Sequence, residues 1–241
     1  MRFVLIHGAF IAASCWSEVA RELCAGGNEV FYPALTGVAE QKHQLSESVD
    51  LDTHIADIQN LIRAENLDDV VLLGHSHGGM AITGVAERCP GKVRMLVYMD
   101  AVIPEHGQSF FDVCHPMIGE ALKASVKDGW RVELPDGWSA ASYGIDDPEQ
   151  QRRLEADVTP QPLHIFDQPL NAPMNMAKDV PRAFVYCTDP RTAPYFAANA
   201  EKAEREGIFF REIEAVHLAM VTRPAEVAKI LIELGRNQFH Y

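Results

Sequence analysis

The sequence predicts a doubly wound, mostly parallel α/β sheet of about six strands, with a small cap inserted after the strand that ends at Asp100. Two observations carry this class. Short, continuous apolar runs alternate with segments whose apolar residues recur at helical spacing, and one long irregular stretch, between Ile103 and Asp179, breaks the alternation.

Residues 3–6 form the first apolar run, ended by His7-Gly8, and residues 29–32 form the second, ended by Pro33. Between them Trp16, Val19, Ala20 and Leu23 mark a helix that stops at Gly26-Gly27. Leu51, Ile55, Ile58 and Ile62 share one face of a second helix, and residues 70–73 follow as a strand buried on both sides. A helix over 78–89, strands over 93–99 and 183–187, a helix over 194–206, a strand over 209–213 and a last helix carrying Val227, Ile230, Leu231 and Leu234 complete the pattern. The interrupting stretch is rich in Pro, Asp and Gln with interspersed aromatics. At the C-terminal side of a parallel sheet such an insertion is expected to cover a site. The expected organisation is a single domain, 1–241, with its core in 1–103 and 180–241 and its cap over about 104–179.

The chain has 241 residues, 47% hydrophobic and 23% charged, with a formal net charge of -13. That balance disfavours nucleic acid and anionic membrane as partners. No stretch has the length of a membrane span, and the opening MRFVLIHG is too short for a secretory signal. The five cysteines are odd in number and scattered without a Cys-x-x-Cys pair, which fits reduced thiols in a cytoplasmic protein better than a disulfide framework or a zinc site. A homodimer stays open.

The chemistry concentrates in VVLLGHSHGGM, residues 70–80. Gly74-His75-Ser76-His77-Gly78 fits G-x-S-x-G between an apolar strand and a helix, the setting of a nucleophile elbow. The glycines are needed because side chains flanking so tight a turn would collide. At an elbow the neighbours of the nucleophile point away from its hydroxyl, so neither His75 nor His77 is expected to act as its base. His217 is the expected base: it follows the last strand, at the sheet edge where the elbow presents Ser76, in the chain order Ser…Asp…His. His7-Gly8-Ala9-Phe10 follows the first strand at the same edge, so the backbone N–H groups of Ala9 and His77 are the candidate oxyanion hole. Phe10 and Leu218, beside these groups, are the expected substrate contacts. No metal or organic cofactor is implied.

HGAF, LLGHSHGG, a strand ending in YMDAVIPEHGQS, and VHLAMVTRPAEVA together resemble the α/β-hydrolase superfamily, specifically the group of plant methyl salicylate esterases, hydroxynitrile lyases and related bacterial esterases. The resemblance covers nearly the whole chain and is weakest in the cap. It implies a triad acid after the penultimate strand, but alignment of Cys187-Thr188-Asp189-Pro190-Arg191 puts Pro190 at that place and Asp189 one position early. Such an offset turns a side chain to the other face. In the superfamily at large the acid also occurs at the end of the preceding strand, where this chain has Asp100. A carboxylate ending a buried apolar strand is costly unless paired, so Asp100 is favoured as the acid with Asp189 as the alternative.

Ser76, His217 and an aspartate with an oxyanion hole imply acyl transfer from a small-molecule ester through an acyl-enzyme. Phe110, Phe111, Met117, Trp130, Trp138, Met174 and Met176 in the insertion suggest a small apolar or aromatic ester. The resemblance brings alternatives. A lyase of this group needs a threonine and a lysine where this chain has Gly8 and Leu218, and is disfavoured. A cofactor-independent oxygenase uses the His-Asp pair without the serine, and a non-enzymatic binding protein would need neither.

Overall fold

The computed structural model describes residues 1–236. Residues 237–241, the end of the expected domain, lie outside the described residues. The chain begins with β1 (Arg2–Ile6), α1 (Ser17–Ala25), β2 (Glu29–Phe31), α2 (Leu51–Ala64), β3 (Val70–His75), α3 (Gly78–Arg88) and β4 (Val93–Met99). The insertion then holds α4 (Phe110–Val113), α5 (Pro116–Ala124), β5 (Val126–Lys127), β6 (Arg131–Val132), α6 (Pro148–Ala156), β7 (Gln161–Pro162) and α7 (His164–Asp167). The core resumes with β8 (Arg182–Cys187), α8 (Ala197–Arg205), β9 (Phe209–Ile213), α9 (Ala219–Thr222) and α10 (Pro224–Arg236).

Six strands form one sheet in the order β2-β1-β3-β4-β8-β9, every pairing parallel. The side-chain alternation of a strand sends Val4, Ile6, Leu72, Leu96 and Tyr98 to one face, where they pack on Ile55 and Ile58 of α2 and Ile82 and Val85 of α3. Phe3, Leu5, Val71, Leu73 and Val97 reach the opposite face and meet Val19 and Leu23 of α1 and Val227, Leu231 and Leu234 of α10. Both faces are therefore dry, which is why β3 reads as an uninterrupted apolar run. Local signals set the ends: Asp50 Oδ1 accepts the Thr53 N–H at 2.8 Å while Thr53 Oγ1 accepts the Asp50 N–H at 3.4 Å, a capping box that starts α2.

Differences from the sequence reading lie at boundaries and in the insertion. The expected strand at 70–73 continues to His75, carrying the backbone straight into the elbow. The helix expected over 194–206 opens as a 3-10 turn, Ala193–Tyr195, and becomes α-helical only at Ala197. The segment read as irregular contains four helices and a three-stranded antiparallel sheet, β5-β6-β7. Its strands are two residues each, too short to show a period of two. Among the described residues no helix is long and apolar enough to cross a membrane.

Candidate active site

β3 delivers its chain into a turn that only small residues fit. A Cβ at Gly74 would stand 2.6 Å from the Gly78 carbonyl oxygen, and one at Gly78 would stand 3.0 Å from that of His7. Ser76 sits between them at φ 56°, a left-handed conformation that is costly for a residue with a Cβ. Its N–H donates to Met99 O at 3.3 Å and its carbonyl accepts the Val102 N–H at 3.2 Å, so β4 and the chain just beyond it brace the strained residue.

The two histidines beside Ser76 are engaged elsewhere, as the elbow geometry predicts. His77 Nε2–H donates to Ile165 O at 2.7 Å, in the insertion. His75 Nε2–H donates to the carbonyl of His217 at 2.9 Å, and the two rings lie 4.3 Å apart. Burial lowers both imidazoles, His77 to about 4 and His75 well below its ordinary range, so both stay uncharged at neutral pH.

His217 lies in the loop between β9 and α9. Its Nδ1–H donates to Asp100 Oδ2 at 2.6 Å, and both residues are buried. Asp100 Oδ1 also accepts the N–H of Cys187 at 3.3 Å. Burial pushes the Asp100 carboxyl up and the His217 imidazole down. The two N–H donors on Asp100 oppose its shift by favouring the carboxylate. Asp189, the alternative acid, turns away. Its two oxygens accept Arg191 Nε and Nη2, each at 2.9 Å, and this guanidinium holds the carboxyl down at about 2. Asp189 is thus engaged with Arg191, and no hydrogen bond among the described residues joins it to the His217 ring.

Ser76, His217, Ala9, Phe10, His77 and Leu218 all border one cavity of ≈ 330 Å³. Among the hydrogen bonds of the described residues none joins Ser76 to His217, and none uses the N–H of Ala9 or His77. The N–H groups that flank the serine are thus left for another acceptor. The rest of the wall is mainly apolar, with Phe110, Trp138, Phe166 and Phe196 prominent. Of the insertion side chains expected to shape this wall, Phe110, Met117 and Trp138 do so. Phe111, Trp130, Met174 and Met176 are not part of it, and Met174 is 73% exposed.

Several supports carry no sequence signal. Thr192 Oγ1 accepts the His217 N–H at 2.9 Å, and the Phe196 ring stacks on the imidazole at 4.5 Å and 9°. Tyr143 stacks on it from the insertion at 5.8 Å. His7 braces the loop after β1, its Nδ1–H donating to Gly8 O at 2.8 Å. Only the motif HGAF hints at this last contact. Among the described residues no group of three or more His, Cys, Asp or Glu side chains is placed to hold a metal ion.

A family model described as "Alpha/beta hydrolase family" matches residues 3–230. The chain is 34% identical to the carbendazim hydrolyzing esterase of Nocardioides sp. (strain SG-4G), over 97% of this chain and 99% of that protein. It is 38% identical to the pyrethroid hydrolase of Sphingobium wenxiniae, over 96% of this chain and 86% of that protein. Among solved structures, an extracellular alpha/beta-hydrolase from a Paenibacillus species superposes with a TM-score of 0.84 at 24% identity, covering 98% of this chain and 100% of that one. That protein is described as sharing structural and functional homology with tobacco salicylic acid binding protein 2.

Proposed function

This chain belongs to the alpha/beta hydrolase family, and on that premise we propose that it is a carboxylesterase that cleaves a small apolar or aromatic ester through Ser76, His217 and Asp100. The observation that carries the proposal is the buried 2.6 Å contact between His217 Nδ1 and Asp100 Oδ2, bordering the same cavity as the elbow serine. We further assign residues 1–103 and 180–241 to the core of a single domain and about 104–179 to its cap.

With Nδ1–H given to Asp100, the free lone pair of the imidazole is on Nε2, the tautomer a general base requires. Ser76 Oγ attacks the ester carbonyl as His217 takes its proton. The N–H groups of Ala9 and His77 receive the developing oxyanion, each worth roughly 3–4 kcal/mol in the transition state. His217 then returns the proton to the leaving alkoxide. Water repeats the sequence on the acyl-enzyme and frees Ser76. Asp100 holds the tautomer and stabilises the imidazolium without itself taking the proton. The apolar wall around Phe10, Trp138, Phe166 and Leu218 supports an apolar or aromatic substrate, since such a surface gains from burying similar groups.

The test is Ser76→Ala with a p-nitrophenyl ester and a fluorophosphonate probe. Hydrolysis is expected to fall by about 10⁶-fold, with all labelling lost. A folded wild-type protein that takes no label would overturn the reading. The His217–Asp100 pair also suits a cofactor-independent oxygenase, and in that case Ser76→Ala retains most of the turnover.

A further inference from the structure

On the carboxylesterase reading of the site, we propose that the cap end of the cavity, lined by Glu155, Trp138 and Tyr143, is a subsite for a cationic, ammonium-type part of the substrate.

The charge pattern is the first reason. Among the described residues that line the cavity there is no lysine or arginine, and Glu155 is the one acidic side chain. The histidines His75, His77 and His217 are all lowered by burial and add no positive charge at neutral pH. Two nearby guanidinium groups are committed elsewhere: Arg153 pairs with Glu149 at 2.5 Å, and Arg191 pairs with Asp189 and Asp146. The net charge of -13 adds a field that draws cations toward any opening.

The placement of Glu155 is the second. It lies in the last turn of α6, where the helix dipole disfavours a carboxylate. Its Oε1 accepts the N–H of Ala140 at 3.0 Å, which fixes the carboxylate against the turn carrying Trp138 and Tyr143. That turn is closed by the Tyr143 N–H donating to Ser139 O at 3.2 Å. Among the described residues the second oxygen of Glu155 has no hydrogen-bond or ion-pair partner.

Ring geometry is the third. Trp138 and Tyr143 lie 5.9 Å apart at 79°, and Trp138 meets Phe10 at 6.4 Å and 87°. Both rings line the cavity, and an aromatic face turned toward it attracts a quaternary or protonated amine. A carboxylate beside such faces adds a Coulomb attraction that a neutral isostere does not feel. The same carboxylate repels the anionic acid product, so it favours entry of a cationic ester and departure of its carboxylate.

The experiment compares phenyltrimethylammonium with its uncharged isostere tert-butylbenzene. Binding is measured by calorimetry and by inhibition of p-nitrophenyl acetate hydrolysis, in wild type and Glu155→Gln. Glutamine keeps an acceptor for the Ala140 N–H and removes the charge, with an amide NH2 in place of the second oxygen. The cation is expected to lose about two- to fivefold in affinity relative to the isostere, the size appropriate to an exposed charge pair. Raising the salt should weaken the cation more in wild type than in the variant, where only the general field of the acidic protein remains to be screened. Equal effects on both ligands, or no effect on either, overturn the subsite. Absence of p-nitrophenyl acetate hydrolysis overturns the carboxylesterase reading instead, and calorimetry separates the two failures.

Discussion

At φ 44° Asp100 holds a left-handed backbone conformation immediately after β4, where its N–H donates to Val185 O at 2.8 Å. Aspartate tolerates this region better than most residues with a Cβ, and the turn brings its carboxylate to His217. Asp100→Asn keeps the shape but makes the group a donor, which favours the wrong imidazole tautomer. A fall of about 10⁴-fold in kcat is expected. Asp189→Asn, which breaks only the exposed pairing with Arg191, should stay within about tenfold of wild type. Steady-state kinetics on both variants decides the acid, and the reverse ranking would reassign it. Sequence could name both aspartates but not rank them firmly. The ranking rests on where a side chain turns at a strand end, and on an arginine two positions along whose fork fits the competing carboxylate. Ser76 and His217 were legible because an elbow motif is local and the base follows from chain order. Thr192 and Phe196 were not, because a side chain that supports a loop across space leaves no spacing to read.

The junction of β3 with α3 is the element on which the serine depends. Gly74→Ala would press a methyl group against the Gly78 carbonyl, a backbone atom that cannot rotate aside. A loss of about 1–3 kcal/mol is expected, read as a lower urea midpoint at unchanged slope. No shift in midpoint would mean that the elbow relaxes freely. The core elements were legible to within a few residues because each buries a full face, so burial imprints its period on the sequence. The insertion resisted reading for the converse reason. Its elements are short, α6 has no buried residue, and the β5-β6-β7 sheet has too few positions to alternate. There the chain is positioned by single contacts, such as Leu163 N–H to Trp130 O at 2.6 Å, which no window average detects.

On the scale of the whole molecule, five histidines, His7, His54, His75, His77 and His217, are buried. Burial lowers each of them, His54 to about 3 and His77 to about 4. In the unfolded chain each regains a value near 6.5 and binds a proton that the folded protein refuses. Stability from these groups is therefore complete above pH 6.5 and declines as the pH falls below it, with a limiting slope of about 1.4 kcal/mol per pH unit for each histidine that stays neutral in the fold. The raised carboxyls of Asp57 and Asp100 act in the opposite sense and offset part of this. A marked drop in Tm between pH 7 and pH 5 is expected from calorimetry, reversible on neutralisation. A Tm flat across that interval would show that the imidazoles accept protons without unfolding.

The hydrogen bonds that fix His217 go to Asp100, Thr192 and His75, all outside residues 104–179. Among the ring contacts of the described residues, the insertion reaches the imidazole through Tyr143. The imidazole is thus held by hydrogen bonds within the core, whereas the elbow beside it is tied to the insertion by His77 Nε2–H donating to Ile165 O at 2.7 Å. Substitutions in the insertion can therefore reshape the apolar wall without touching a hydrogen bond to His217, so long as the Ile165 carbonyl keeps its place beside His77.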